Sequence, residues 1–443
     1  MTTTEMPAAI PEIERATLRR ITWRILPFLM VAYFVAFVDR VNAGFAALQM
    51  NHDLGLSAAQ FGLGGGLFYV SYVLCEVPSN LAMERFGARI WIARIMITWG
   101  LVSAAMAFVV GPYSFYAVRL LLGASEAGFF PGVILYLTYW FPRAYRGRIV
   151  AVFMVAIPIS SFLGSPISAA ILNTDGMLGL RGWQWLFILE AAPAVLLGLL
   201  AFLLLPDGPG SARWLTPQQS AWLQERLATE RASVVPGEAA PARHLSVWQV
   251  MRNRYVLAAS LIYAGASGAS QCLSLWQPQI IKAFGLTNLQ TGLLNSIPFG
   301  VASVLMLLWG RSSDRNRERV WHTALPLGLL AVSLAASIAT TQLLPTILIL
   351  CLAVTATYTV KGPFWALSTE WLSAGAAAAG IAQINAIGNI GGFVGTYLLG
   401  VIKDATGSYP LGLLPLVVLS GIGCLLVLGL GRGRTPAAQP SRI

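Results

Sequence analysis

Charge is what this sequence has least of. Only 11% of its 443 residues are Asp, Glu, Lys or Arg, against about a quarter in soluble domains, while apolar types make up 56%. A chain so composed cannot keep its surface in water. Histidine is almost missing too: His52 and His322 fall at the ends of apolar runs and His244 in a polar stretch. The patterns HExxH, GxSxG and GxxxxGK(S/T) do not occur, which leaves metalloprotease, serine-hydrolase and ATP-driven chemistry unsupported and argues against an enzyme. The four cysteines, Cys75, Cys272, Cys351 and Cys424, lie inside apolar runs with no CxxC or metal-ligand spacing. They read as small buried hydrophobes, so neither metal nor cofactor is expected. The net charge of +11 is broken into short clusters between apolar runs, which excludes a continuous nucleic-acid-binding face.

What is present is length of apolar chain. About 20 apolar residues cross a bilayer core of roughly 30 Å, and twelve such runs can be marked: 25–47, 60–83, 90–111, 113–138, 147–172, 184–205, 254–281, 289–310, 320–340, 346–370, 379–400 and 411–431. They form two sets of six around a polar segment, 206–253. The arginines that follow runs 2, 4, 8 and 12, and those of the central segment, occupy alternate connections, whereas the intervening ones hold little basic charge. By the positive-inside rule, both termini and the central segment are expected in the cytoplasm. The N-terminal arginines lead into a run too long for a signal-peptide core, so no cleaved leader is expected. The divisions expected are an N-terminal segment 1–24, a first half 25–205, a linker 206–253, a second half 254–431 and a tail 432–443. Within the linker, Thr216-Pro217 followed by mixed charges signals a short surface helix.

The halves echo one another. After run 2 the chain reads Asn80-Leu-Ala-Met-Glu84-Arg85-Phe-Gly87-Ala-Arg89, and after run 8 Gly310-Arg-Ser-Ser-Asp314-Arg315-Asn-Arg-Glu-Arg319. An acid followed at once by Arg, with another Arg five residues after the acid, recurs at an offset of 230. Duplicated halves of this kind place a ligand site between them near the bilayer midplane. These loops, with Val38-Asp39-Arg40-Val-Asn42, Tyr72-Val-Leu-Cys-Glu76-Val-Pro78-Ser-Asn80, Arg119 with Glu126-Ala-Gly-Phe-Phe-Pro131, Gly362-Pro363-Phe364-Trp365 and Asn385-Ala-Ile-Gly388-Asn389, resemble the major facilitator superfamily. Within it they are similar to the anion:cation symporter family, in its tartrate/phthalate-like bacterial branch. Asn80 and Glu84 depart from the Gly and Asp of that family's hallmark loop. The resemblance implies a twelve-helix inner-membrane protein, a monomer, that takes up a small organic carboxylate with protons by alternating access. Glu84, Arg85, Arg89, Asp314 and Arg315 would act in its gating loops. A sugar-acid symporter and a non-transporting membrane sensor are the alternatives.

Ionisable residues inside the runs are few, and such residues are costly and usually functional. Asp39 and Arg40 sit near the middle of the first run and point about 100° apart on a helix, so one faces a cavity while the other meets a neighbour. Arg40, a rigid fork of donors, suits a carboxylate ligand; a structural pair with other helices is the other reading. Arg119 and Glu126 are two turns apart on one face. A carboxylate balanced between an apolar setting and a nearby arginine can load and release a proton; a packing salt bridge holding helices 1 and 4 together is the other reading. Lys361 stands as a second carboxylate contact or as a counter-ion for Glu370 or the interface, and Glu76 and Glu190 as helix contacts or gating groups. The resemblance implies Arg40 for the anion, Asp39 and Glu126 for the protons with Arg119 tuning them, and Tyr72, Trp365 and Asn385 lining the site. Gln271, Ser161, Ser160 and Asn295 are weaker lining candidates. Phe37 and Ile157 replace polar groups of relatives, which favours a smaller or more apolar acid. Pro131, Pro158 and Pro363 are expected to kink their helices.

Overall fold

The computed structural model describes residues 12–232, 252–371 and 377–432; Arg243, His244 and Arg434 of the sequence reading lie outside them. Twelve helical spans are long and apolar enough to cross a membrane: α1 Glu12–Asp53, α2 Ala58–Phe86, α3 Ala88–Phe108, α4 Pro112–Thr138, α5 Arg143–Thr174, α6 Gly182–Leu204, α7 Arg254–Lys282, α8 Asn288–Asn316, α9 Val320–Ala339, α10 Leu343–Trp371, α11 Ala379–Thr406 and α12 Leu414–Gly431. The spans match the apolar runs, with the largest difference at the start. The first helix begins at Glu12, because the arginine-rich stretch continues the helix beyond its apolar part. The surface helix Pro217–Ala232 begins where the sequence signals it. Thr216 and Gln219 cap it reciprocally, each side chain accepting from the other's backbone N–H at 3.2 Å.

Packing repeats with a shift of six spans. In the first half α1 packs on α5 and α6, α2 on α4, and α3 on α4 and α6; in the second, α7 packs on α11 and α12, α8 on α10, and α9 on α10 and α12. Between the halves α1 meets α7, α2 meets α11 and α5 meets α8, a set that maps onto itself when the halves are exchanged. The peripheral α3, α6, α9 and α12 turn leucine and valine outward, as at Leu203, Val332 and Leu425. An all-apolar outer face needs lipid around it.

Three spans are interrupted, each three residues before a proline. The fourth breaks at Ala127-Gly128 ahead of Pro131, the fifth at Val155 ahead of Pro158, and the tenth at Val360 ahead of Pro363. Proline removes the N–H that would close the preceding turn and crowds its carbonyl. Other helices run through Pro27, Pro78, Pro193 and Pro298 without a break, so proline alone does not decide. In α4 the break is fixed by Gly128 at φ 86°, a left-handed conformation, with Ser79 filling the space a side chain would need.

The seam between halves is sealed at the end remote from the linker. There Asp404 accepts from the N–H groups of Ala58 and Ala59 at 3.0 and 2.8 Å, and Asn51 donates to Gln279 at 3.3 Å. Gly62 abuts the Thr396 carbonyl and Gly400 the Ala58 carbonyl, so closely that a Cβ at either would collide with backbone. Asn295 donates to Ser165 across α8 and α5 at 2.8 Å. These small-residue contacts let the backbones meet.

Candidate functional site

Glu126 is the last residue of the first α4 helix, Pro112–Glu126. Its carboxylate therefore sits, almost wholly buried, at a helix C-terminus, where the partial negative charge of the carbonyls opposes it. A cation must compensate, and Arg40 does so. Its Nη2 and Nε reach the same oxygen, Glu126 Oε1, at 2.6 and 2.7 Å. The Arg40 side chain keeps 25% of its surface exposed while that of Glu126 keeps 2%, so the guanidinium is the face of this pair that a solute would meet. Aromatic rings wall the guanidinium: Phe37, Tyr72 and Phe68 lie 4.9, 5.3 and 5.7 Å from it, centroid to carbon. Rings at this range attract a cation without neutralising it.

Asp39 turns the other way. Its carboxylate accepts from Asn42 Nδ2 at 2.8 Å, from the Trp99 indole N–H at 2.6 Å and from Ser103 Oγ, all buried between α1 and α3. Arg119, two turns before Glu126, does not pair with it. It gives its Nε and Nη2 protons to the carbonyls of Gly64 and Gly65 at 3.2 and 3.3 Å and lies 5.0 Å from the Phe68 ring. Of the four charged residues that the sequence places here, the structure thus brings Arg40 and Glu126 into contact and sends Asp39 and Arg119 to separate partners. Trp99 and Ser103 are the residues sequence reasoning missed. An indole and a hydroxyl inside an apolar run carry no signal until the fold aims them at a carboxylate.

From the second half comes Lys361, the first residue after the α10 break. Its ammonium lies 4.4 Å from the Tyr358 ring and donates to Ser270 at 3.4 Å, both in its own half. Trp365 packs on Tyr263 at 5.0 Å. Asn385 crosses to the first half, its amide 3.3 Å from both oxygens of Glu76. Gln271 donates to Ser267 at 3.2 Å and Asn389 at 3.0 Å, and Ser161 is buried in α5. Glu190 accepts from Ser168 at 2.6 Å, tying α6 to α5. The loop residues do not pair across the seam: Arg89 pairs with Asp207 at the start of the linker at 3.4 Å and Arg319 with Asp314 at 2.7 Å, while Glu84, Arg85 and Arg315 are exposed. Among the described residues no cluster of His, Cys, Asp and Glu is placed to hold a metal.

Residues 29–396 match the Major Facilitator Superfamily. A protein of Agrobacterium vitis, provisionally named a tartrate transporter, is 49% identical over 95% of this chain and 96% of its own length. A quinolone resistance transporter of Acinetobacter baumannii is 40% identical over 93% of this chain and 94% of its own. The same fold is seen in the crystal structure of a bacterial homologue of the human lysosomal transporter Spinster, inward-facing and unoccupied, at 17% identity and a TM-score of 0.75 over 95% of this chain and 99% of that one.

Proposed function

This chain belongs to the Major Facilitator Superfamily and is a multi-pass transporter of the bacterial inner membrane, and from that premise we propose that it carries a small organic carboxylate together with a proton. The observation that carries the reading is the double hydrogen bond from Arg40 to one oxygen of Glu126. A partly exposed arginine in an aromatic-walled site is the natural partner for a carboxylate. Here that partner's place is taken by Glu126. A substrate anion gains Arg40 only when Glu126 gives it up, and protonation of Glu126 removes the charge that holds it.

The charge balance supports the same coupling. Arg40, Arg119 and Lys361 stand against Asp39, Glu76 and Glu126, with Glu190 buried behind Asp39. These cations leave no surplus positive charge for an anion arriving alone in a low-dielectric setting, and a proton taken up with the anion offsets its charge. In the proposed cycle Glu126 is protonated while the site faces the cell exterior, the anion binds Arg40, and the halves rock about the seam. On the linker side, read as cytoplasmic from its arginines, Glu126 loses the proton, reclaims Arg40 and releases the anion. Asp39 serves this cycle as the anchor that fixes α1 on α3, so that Arg40 keeps its aim. Lys361 supplies the second cation that a dicarboxylate needs. The tartrate and aromatic-acid classes fit these groups, and the A. vitis relative bears the first as its name.

The test is uptake of tartrate and of phthalate by proteoliposomes holding the purified chain. An inward proton gradient is expected to drive accumulation of at least one of them, and Arg40→Ala is expected to abolish it. Glu126→Gln is expected to lose gradient-driven accumulation while keeping counterflow. Counterflow by the unaltered protein with no response to the gradient overturns the coupling, and full uptake by Arg40→Ala overturns the site.

A further inference from the structure

The first helix is 42 residues long, about 63 Å at 1.5 Å per residue, roughly twice the hydrocarbon core. Its N-terminal part therefore lies outside the span proper, at the linker end. That part bears Arg15, Arg19, Arg20 and Arg24, all exposed. Arg20 donates to Gln219 of the surface helix at 3.3 Å, and none of the four forms an ion pair with a carboxylate among the described residues. The one nearby acid with a defined bond, Glu14, is taken by the Tyr145 hydroxyl at 2.9 Å. Between these arginines and α5 runs a cavity of about 410 Å³, rimmed by Arg15 and Arg19 and walled by Leu18, Leu26, Ile149 and Val152. A second cavity, of about 480 Å³, shares Arg19 and continues past Arg20, Arg24 and Trp23. Trp23, 74% exposed, is the kind of side chain that settles at a membrane–water interface.

A strip of guanidinium groups with no carboxylate partner among the described residues, beside an apolar trough, complements the two-part chemistry of a phospholipid. We propose that this groove binds an anionic phospholipid of the linker-side leaflet, its phosphate held by Arg15 and Arg19 with Arg24 beside it, and an acyl chain laid along Leu18, Leu26, Ile149 and Val152. Charge complementarity selects that occupant, because juxtamembrane basic clusters attract anionic headgroups. The chain's own remaining segments are poor substitutes, since residues 1–11 contain one acid, Glu5, and residues 233–251 one acid, Glu238, against Arg243. The proposal uses none of the groups around Arg40, so its failure leaves the transport reading untouched.

The experiment compares the full-length protein in detergent with added dioleoylphosphatidylglycerol, dioleoylphosphatidylcholine or inorganic phosphate, reading thermal stability and, by native mass spectrometry, retained lipid. The anionic lipid is expected to raise Tm by several degrees over the neutral one and to stay bound, with phosphate alone without effect. R15Q/R19Q is expected to lose both responses, and R213Q/R254Q, which removes equal charge elsewhere, to keep them. R19Q alone, at the residue common to both cavities, gives the same reading should the double variant not fold. Equal responses in the variants and the unaltered protein overturn the proposal, as does stabilisation by phosphate matching that by the lipid.

Discussion

At the scale of single residues the site is an exchange of partners around one arginine, and Lys361 decides what else can enter. Its ammonium has a serine and a tyrosine ring for company and, among the described residues, no carboxylate in an ion pair with it, so a second carboxyl group of a substrate is its natural counter-ion. A charge-assisted hydrogen bond contributes about 1.5–3 kcal/mol, and 1.4 kcal/mol is tenfold in affinity. Lys361→Gln is therefore expected to weaken binding of a dicarboxylate by about tenfold or more and to leave a monocarboxylate nearly unchanged. Equal losses for both, measured by calorimetry, would remove Lys361 from the site. Residue types and depth were legible in the sequence: Asp39, Arg40, Arg119, Glu126 and Lys361 stand out because charge inside an apolar run is rare. Partners were not. Arg119 and Glu126 share a helix face by spacing, yet Arg119 is drawn to the Gly64 and Gly65 carbonyls, because side-chain-free glycines on α2 leave those oxygens open to it.

Helical elements carry the site on their broken turns. Glu126 ends one helix of α4, and Lys361 starts one of α10, the span six places later. Prolines 131, 158 and 363 marked these breaks in the sequence, but not the residue at which each helix stops, which depends on the left-handed Gly128 in one case and on nothing the sequence flags in the others. A side chain at Gly128 meets both a strained φ and Ser79, and a strained residue of this kind costs on the order of 1–3 kcal/mol. Gly128→Ala is expected to lower Tm in detergent and to weaken substrate binding, by shifting Glu126 relative to Arg40. A variant as stable and as tight-binding as the unaltered protein would show that the break is not needed.

For the whole molecule, the six-span repeat and the sealed remote end describe two halves that meet along a seam closed at one end. The repeat was legible from two loops 230 residues apart; which end is closed was not, since both ends are rich in small residues and only the assembled seam shows which meet. Opening the remote end requires Gly400 to leave the Ala58 carbonyl and Asp404 to release the start of α2. Gly400→Leu is expected to bias the halves apart there, so that a cysteine at Ser270 in a cysteine-free background reacts severalfold faster with an impermeant maleimide added on that side; an unchanged rate would contradict the seam as gate. The central claim, that anion and proton share Arg40 through Glu126, is tested most directly by the pH dependence of anion affinity, taken where the probe acid stays fully ionised. Binding that takes up one proton weakens as pH rises, approaching tenfold per unit once Glu126 is ionised in the free protein. The account predicts that slope for the unaltered protein and a flat line for Glu126→Gln. A flat line for the unaltered protein, or the same slope in the variant, would contradict it.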